Sequence, residues 1–269
     1  MPTSSNAFKE RLTAAEPQRG LWCTLGSAFA IEVVAGAGFD WLLIDMEHSP
    51  NDLLSVLAQL QTLAAYPVAP VVRVPDNDPV LFKRLLDLGV QNFMVPDVQH
   101  AQEARQAAAS LRYPPLGNRG VSALTRATRF GRIADYPRLS NSAMTLVVQI
   151  ESPAGIENID EIASVDGVDA LFVGPGDLAA RMGYIGEPMR HEVTTAVEQA
   201  LRRIVAKGKI AGLLTGDADF AQRCEELGAR LVAVGLDVGI LARGADALAR
   251  RPGGQAQQQQ KARGLINER

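Results

Sequence analysis

The apolar positions of this chain fall into short runs that are hydrophobic almost throughout. Each run is followed by a longer stretch in which apolar and polar residues alternate with helical spacing. The runs occupy residues 21–25, 41–46, 68–74, 92–95, 144–150, 170–173, 210–214 and 231–235. The helical stretches are predicted at 30–37, 53–64, 79–88, 101–111, after Asn158, at 192–206, 218–227 and 240–249. Pro79 at the head of its segment suits a first helical turn, where a missing N–H costs nothing. A strand buried on both faces reads as a continuous apolar run, as in a parallel sheet covered by helices. Strand and helix alternating about eight times predict an α/β fold closed into a TIM (β/α)8 barrel.

Length agrees with this reading, because 269 residues suffice for one barrel, which needs about 250. A doubly wound open sheet would share the local pattern, but neither a GxGxxG nor a Walker A motif accompanies it. The rhythm breaks over 113–142, a stretch rich in Arg, Gly and Pro that reads as an extended loop with one short helix. The chain divides into a single barrel domain, 1–253, and a low-complexity tail, 254–269, expected to be mobile or to form a terminal helix.

Charge and composition narrow the function. A net charge of −3 and a pI of about 5.7, with no block of Lys or Arg, argue against a nucleic-acid or anionic-membrane partner. No apolar run approaches the roughly 20 residues that cross a bilayer. Residues 1–16 lack the apolar core of a signal peptide, so a cytoplasmic location is expected. Cys23 and Cys224 lie far apart in apolar surroundings and read as free core thiols.

In a TIM barrel the chemistry sits where strands end and loops begin. Strand two ends in Asp45-Met46-Glu47-His48, strand three in Arg73, strand five in Gln149-Ile150-Glu151, and strand six in Gly174-Pro175-Gly176-Asp177. Glu151 and Asp177 offer two hard oxygen donors. That leaves coordination positions open and suits Mg²⁺, Mn²⁺ or Co²⁺, although a lone carboxylate can equally cap a helix or pair with an arginine. Gly174 and Gly176 lack Cβ and let backbone N–H groups approach an anion, or simply form a tight turn. His48 starts a loop, with Asp45 near enough in sequence to orient its imidazole. His100 and His191 each precede a helix and have no such partner. Arg73 closes an otherwise apolar strand, where its planar fork would face the barrel mouth and an oxyanion, or a buried acid. No lysine stands at a strand end, which weighs against Schiff-base chemistry. Together these residues suggest metal-assisted enolate chemistry on a 2-oxo acid.

Several stretches, in order and at matching spacing, carry a family resemblance. They are Ala35-Gly36-Ala37-Gly38-Phe39-Asp40-Trp41, Asp45-Met46-Glu47-His48-Ser49-Pro50, Val71-Val72-Arg73, Arg112-Tyr113-Pro114-Pro115, Arg119-Gly120-Val121, Gln149-Ile150-Glu151 and Phe172-Val173-Gly174-Pro175-Gly176-Asp177-Leu178. From about Gly20 to Ala249 the chain resembles the HpcH/HpaI aldolase family, closest to its class II 4-hydroxy-2-oxoheptanedioate aldolase branch. The resemblance implies a divalent metal and cleavage of 4-hydroxy-2-oxo acids to pyruvate, or hydroxypyruvate, and an aldehyde. It implies Glu151 and Asp177 as metal ligands, His48 as general base with Asp45 beside it, and Arg73 as the enolate-stabilising group. Gln149 and the backbone of Gly176 and Asp177 are implied on the substrate. A homo-hexamer built as a trimer of dimers that exchange a C-terminal helix is also implied, with Asp87 a candidate contribution to a neighbour's site. Met46 and Gly176 depart from the residues frequent in relatives, Gly and Ala, and bear on donor and aldehyde preference. The competing reading is a Mg²⁺-dependent acyl-CoA lyase of the citrate/malyl-CoA type, with Arg126, Arg129 and Arg132 available to a nucleotide handle. A non-catalytic barrel is a third.

Overall fold

A computed structural model describes residues 6–14 and 17–250. Eight parallel strands close into a barrel in sequence order: β1 (Gln18–Cys23), β2 (Trp41–Asp45), β3 (Ala69–Arg73), β4 (Asn92–Val95), β5 (Thr145–Ile150), β6 (Ala170–Val173), β7 (Ile210–Leu214) and β8 (Ala229–Leu236). Among the described residues the helices are α1 (Ala7–Leu12), α2 (Ala28–Ala35), α3 (Leu53–Leu63), α4 (Pro79–Asp87), α5 (Ala101–Leu111), α6 (Tyr136–Ala143), α7 (Pro153–Glu157), α8 (Ile159–Ala163), α9 (Pro175–Arg181), α10 (His191–Ala206), α11 (Ala218–Glu226) and α12 (Asp237–Ala249). The TIM barrel anticipated from the apolar rhythm is therefore the fold, and the 113–142 connection ends in the short helix α6. The tail assigned to 254–269 lies outside the described residues.

Three short helices, α1, α7 and α9, have no periodic signal in the sequence. α9 spans seven residues and opens Pro175-Gly176, which reads as a loop. Proline nevertheless fits a first turn and needs no N–H partner there. α1 is six residues long and is fixed by its cap rather than by its own periodicity. β1 begins three residues earlier than the apolar run, because Gln18 and Arg19 extend its ladder to Leu231 and Val232 of β8.

Side chains alternate across each strand. One parity fills the barrel interior: Trp22, Trp41, Leu43, Ala69, Val71, Met94, Val147, Ala170, Phe172, Leu231 and Ala233. The other, including Leu42, Ile44, Val72, Val148, Ile150 and Val173, packs outward under the helices. Both faces are thus apolar, which is why the runs are continuous. α1 seals the N-terminal end: Phe8 and Leu12 join the interior cluster, and the Phe8 and Trp41 rings lie 6.5 Å apart. Asn6 caps α1 and donates its amide to Asn92 Oδ1, the Ala143 carbonyl and Thr145 Oγ1 at 2.7, 2.8 and 3.0 Å. Gly20 leaves room for the Trp41 indole, since a Cβ there would lie 2.1 Å from Trp41 Cε2.

Continuing the interior parity towards the strand C-termini reaches Thr24, Asp45, Arg73, Gln149, Glu151 and Gly174. The polar residues chosen from strand ends are therefore the next inward positions of the same ladders, stacked on a closed apolar floor.

Candidate active site

Those positions open into a cavity of about 920 Å³ at the C-terminal mouth. Asp45, His48, Arg73, Gln149, Glu151, Gly176 and Asp177 all line it, so the barrel brings together every site residue selected from the sequence. Trp22, Phe172 and Leu214 form apolar wall, and Arg243 of α12 reaches the rim.

Arg73 is the anchor of the arrangement and is 6% exposed. Asp45 and Arg73 are register partners on β2 and β3. Arg73 Nε and Nη2 donate to Asp45 Oδ1 and Oδ2 at 2.8 and 2.7 Å, a two-pronged geometry that holds the guanidinium plane. The guanidinium lies 5.3 Å from the Trp22 ring centroid. Nη1 points the other way, 2.6 Å from Glu47 Oε2 and 3.4 Å from Gln149 Oε1. Burial opposes the charge on Arg73, but bonding to Asp45 and the attraction of Asp45, Glu47 and Glu151 outweigh it and raise its pKa.

This geometry corrects one expectation. Asp45 does not orient His48, because both its carboxylate oxygens are occupied by Arg73, and Oδ1 also accepts from the Glu47 backbone N–H at 3.0 Å. The acid beside His48 is Glu47, whose Oε1 lies 3.8 Å from Nε2, and the imidazole is 67% exposed at the mouth. Sequence reasoning gave Glu47 no role. Its position between Asp45 and His48 was the available signal. Burial raises the Glu47 pKa; Arg73 and His48 oppose that shift, and Asp45 and Asp177 reinforce it.

Glu151 is 4% exposed. Its Oε1 accepts from the Asp97 backbone N–H at 2.9 Å and its Oε2 from Gln149 Nε2 at 3.2 Å. Burial, then the charge of Asp177, pushes its pKa up to about 7. Glu47, Glu151 and Asp177 therefore lie within electrostatic reach of one another, and Arg73, with two prongs on Asp45 and Nη1 on Glu47, bonds neither Glu151 nor Asp177. A hard divalent cation relieves that crowding, and the donor set fits one. Among the described residues no group of three or more His, Cys, Asp or Glu side chains converges to cage a metal alone.

Gly174 and Gly176, similar in sequence, differ in the space around them. A Cβ on Gly174 would lie 2.5 Å from Glu151 Oε2 and 2.9 Å from Glu151 Cβ, whereas one on Gly176 meets nothing within 4 Å. Gly174→Ala is expected to displace the Glu151 carboxylate and, with Glu151 a metal ligand as the family resemblance implies, to weaken Mn²⁺ binding about 10–100-fold, the usual cost of disturbing a ligand's support. Gly176→Ala should bind as wild type does. Calorimetric titration of both variants checks this, and equal affinities would show that Glu151 tolerates the intrusion.

The remaining candidates lie elsewhere. His100 caps α5 with Nδ1 3.0 Å from Asn158 Nδ2, and His191 begins α10. Asp87 ends α4 at the opposite end of the barrel and does not line this chain's cavity. Burial raises its pKa against the pull of Arg119 and Lys83. Arg126, Arg129 and Arg132 line a separate cavity of about 330 Å³ beside Gly89 and Gln91, at the N-terminal end of β4. They are thus remote from the mouth and unplaced to hold a nucleotide handle there. Cys23 and Cys224 are buried free thiols, and burial raises both pKa values, that of Cys224 to about 12.

Comparison with known proteins gives the family of the chain. Residues 18–244 match the family model described as HpcH/HpaI aldolase/citrate lyase. A pyruvate aldolase of Rhizobium etli is 54% identical over 246 residues, covering 91% of this chain and 97% of that one. A 4-hydroxy-2-oxo-heptane-1,7-dioate aldolase of Escherichia coli is 53% identical over 252 residues, covering 93% and 96%. The crystal structure of an HpcH/HpaI aldolase/citrate lyase family protein from Burkholderia cenocepacia superposes with a TM-score of 0.87 at 40% identity, covering 96% of this chain and 100% of the other.

Proposed function

Because the chain belongs to the HpcH/HpaI aldolase/citrate lyase family, we propose that it is a metal-dependent class II pyruvate aldolase, a carbon–carbon lyase. It reversibly cleaves 4-hydroxy-2-oxo acids to pyruvate, or hydroxypyruvate, and an aldehyde. The observation that carries this reading is a buried, fixed Arg73 sharing one cavity with the Glu151/Asp177 pair.

Glu151 and Asp177 are the residues that would hold the metal. Bound there, Mg²⁺, Mn²⁺ or Co²⁺ would supply a Lewis acid to the 2-oxo group. With Nε and Nη2 committed to Asp45, the guanidinium of Arg73 turns Nη1, which also meets Glu47 Oε2 and Gln149 Oε1, toward negative charge on the keto oxygen. Gln149, bonded to both Arg73 and Glu151, sets the distance between cation and carboxylate. The first-turn N–H groups of Gly176 and Asp177 have no intrahelical partner and receive the substrate carboxylate. His48 at the open rim accepts the C4 hydroxyl proton as the C3–C4 bond breaks, and the bond's electron pair becomes the enolate. Protonation at C3 then gives pyruvate, and the reverse sequence makes the aldol.

A homo-hexamer that exchanges its C-terminal helix and works in the cytoplasm belongs to the same reading. It is supported by α12, whose Val238, Ile240, Leu241 and Leu248 are exposed at 42, 51, 62 and 90%. Among the described residues no helix is long and apolar enough to cross a membrane.

The deciding experiment screens pyruvate and hydroxypyruvate against succinic semialdehyde, tartronate semialdehyde, lactaldehyde and glyceraldehyde with each metal. Aldol product is expected with Mg²⁺, Mn²⁺ or Co²⁺ and none in excess chelator. Turnover of acetyl-CoA with glyoxylate but not of pyruvate would favour the acyl-CoA lyase instead, and full activity in chelator would refute the metal.

A further inference from the structure

Asp97, just after β4, has φ 50, a left-handed conformation that a residue other than glycine rarely adopts. The turn does two things at once. It aims the backbone N–H at Glu151 Oε1, 2.9 Å away. It also sends the side chain to α9, where Arg181 Nη1 and Nη2 donate to Oδ1 and Oδ2 at 2.5 and 2.8 Å. Gln99 Nε2 adds a bond to Oδ1 at 3.1 Å.

Arg181 ends the helix whose first turn carries Asp177, and it lies within electrostatic reach of both Glu151 and Asp177. It is thus a cation beside two carboxylates that must stay available to a metal. The Asp97–Arg181 pair is 41% and 38% exposed, and pairs so open to water add little to stability. Its geometry is better matched to the site than to the fold.

We infer that Asp97 is a positioning residue: its backbone holds one oxygen of Glu151, and its carboxylate keeps Arg181 from neutralising Glu151 and Asp177. This rests on the reading that those two carboxylates bind a divalent ion. Without the Asp97 charge, Arg181 swings onto a ligand oxygen and competes with the metal.

The test is a calorimetric Mn²⁺ titration of the full chain, with the melting temperature of each metal-free protein. Asp97→Asn keeps the left-handed turn, which Asn tolerates, and keeps the N–H, while removing the charge. It is expected to weaken Mn²⁺ binding about 10–100-fold with the metal-free melting temperature unchanged. Asp97→Gly, free of steric cost at this φ, should lose the same amount. Adding Arg181→Met to Asp97→Asn should restore affinity to the wild-type value, because the competing cation is gone. Wild-type affinity in Asp97→Asn and Asp97→Gly, or a double variant as weak as Asp97→Asn, would overturn the inference. Failure of the site itself shows differently: a wild type that binds no Mn²⁺, or that binds it no better than Glu151→Gln, overturns the ligand assignment and this inference with it.

Discussion

Replacing Arg73 by lysine is expected to lower kcat by about 10²–10³, the effect of losing one well-placed donor to an oxyanion. Lysine keeps the charge but not the planar fork. In this chain the fork is what separates two tasks: Nε and Nη2 engage Asp45, and Nη1, on the other edge beside Glu47 and Gln149, is the group proposed to meet the substrate. An ammonium group drawn to the Asp45 carboxylate has no rigid second edge to present. The loss should appear in kcat and not only in KM, since charge on the keto oxygen develops in the transition state. Steady-state kinetics of Arg73→Lys decide the matter, and a rate within a factor of about three of wild type would remove Arg73 from the chemistry.

His48→Ala should slow aldol cleavage by at least about 10²-fold, within the 10²–10⁴ typical of general base catalysis. Mn²⁺ affinity should stay at the wild-type value, because Glu151 and Asp177 are untouched. The imidazole stands at the open rim, 67% exposed, with the Glu47 carboxylate 3.8 Å from Nε2. It is therefore free to exchange its proton with solvent between turnovers. Metal titration and rate are measured together. A variant that loses the metal identifies His48 as a ligand, and one that keeps both metal and rate assigns the base to water or to another side chain.

The barrel was legible because burial on both faces writes each strand as one apolar run, as Leu42 to Ile44 or Leu146 to Val148 show. The site was legible where a polar residue interrupts such a run: Asp45, Arg73, Gln149 and Glu151 stand out against their neighbours. Pairings were not. That Asp45 belongs to Arg73 and not to His48 follows from the β2–β3 register, which places the two opposite each other across 28 residues of sequence. The role of Gly174 depends on a contact with Glu151, a residue of another strand. Asp97 and Arg181 lie 84 residues apart and depend on a backbone angle that composition does not encode. Short helices such as α9 escape because seven residues cannot establish a period.

The alternation of inward and outward positions also governs which genetic changes the enzyme can absorb. Loss of one codon early in β3 would carry Arg73 into the slot where Val72 now packs beneath the helices. The same loss in β2 would carry Asp45 into the place of Ile44, and in β5 would carry Gln149 and Glu151 into those of Val148 and Ile150. A buried charge would face hydrocarbon, and the mouth would lose its chemistry in the same event. The connection over 113–142 runs at the far end of the barrel, where a change of length leaves these ladders in phase. Changes that keep every strand in phase are instead exchanges of side chains at the rim, at positions such as Gly176 that have open space around them.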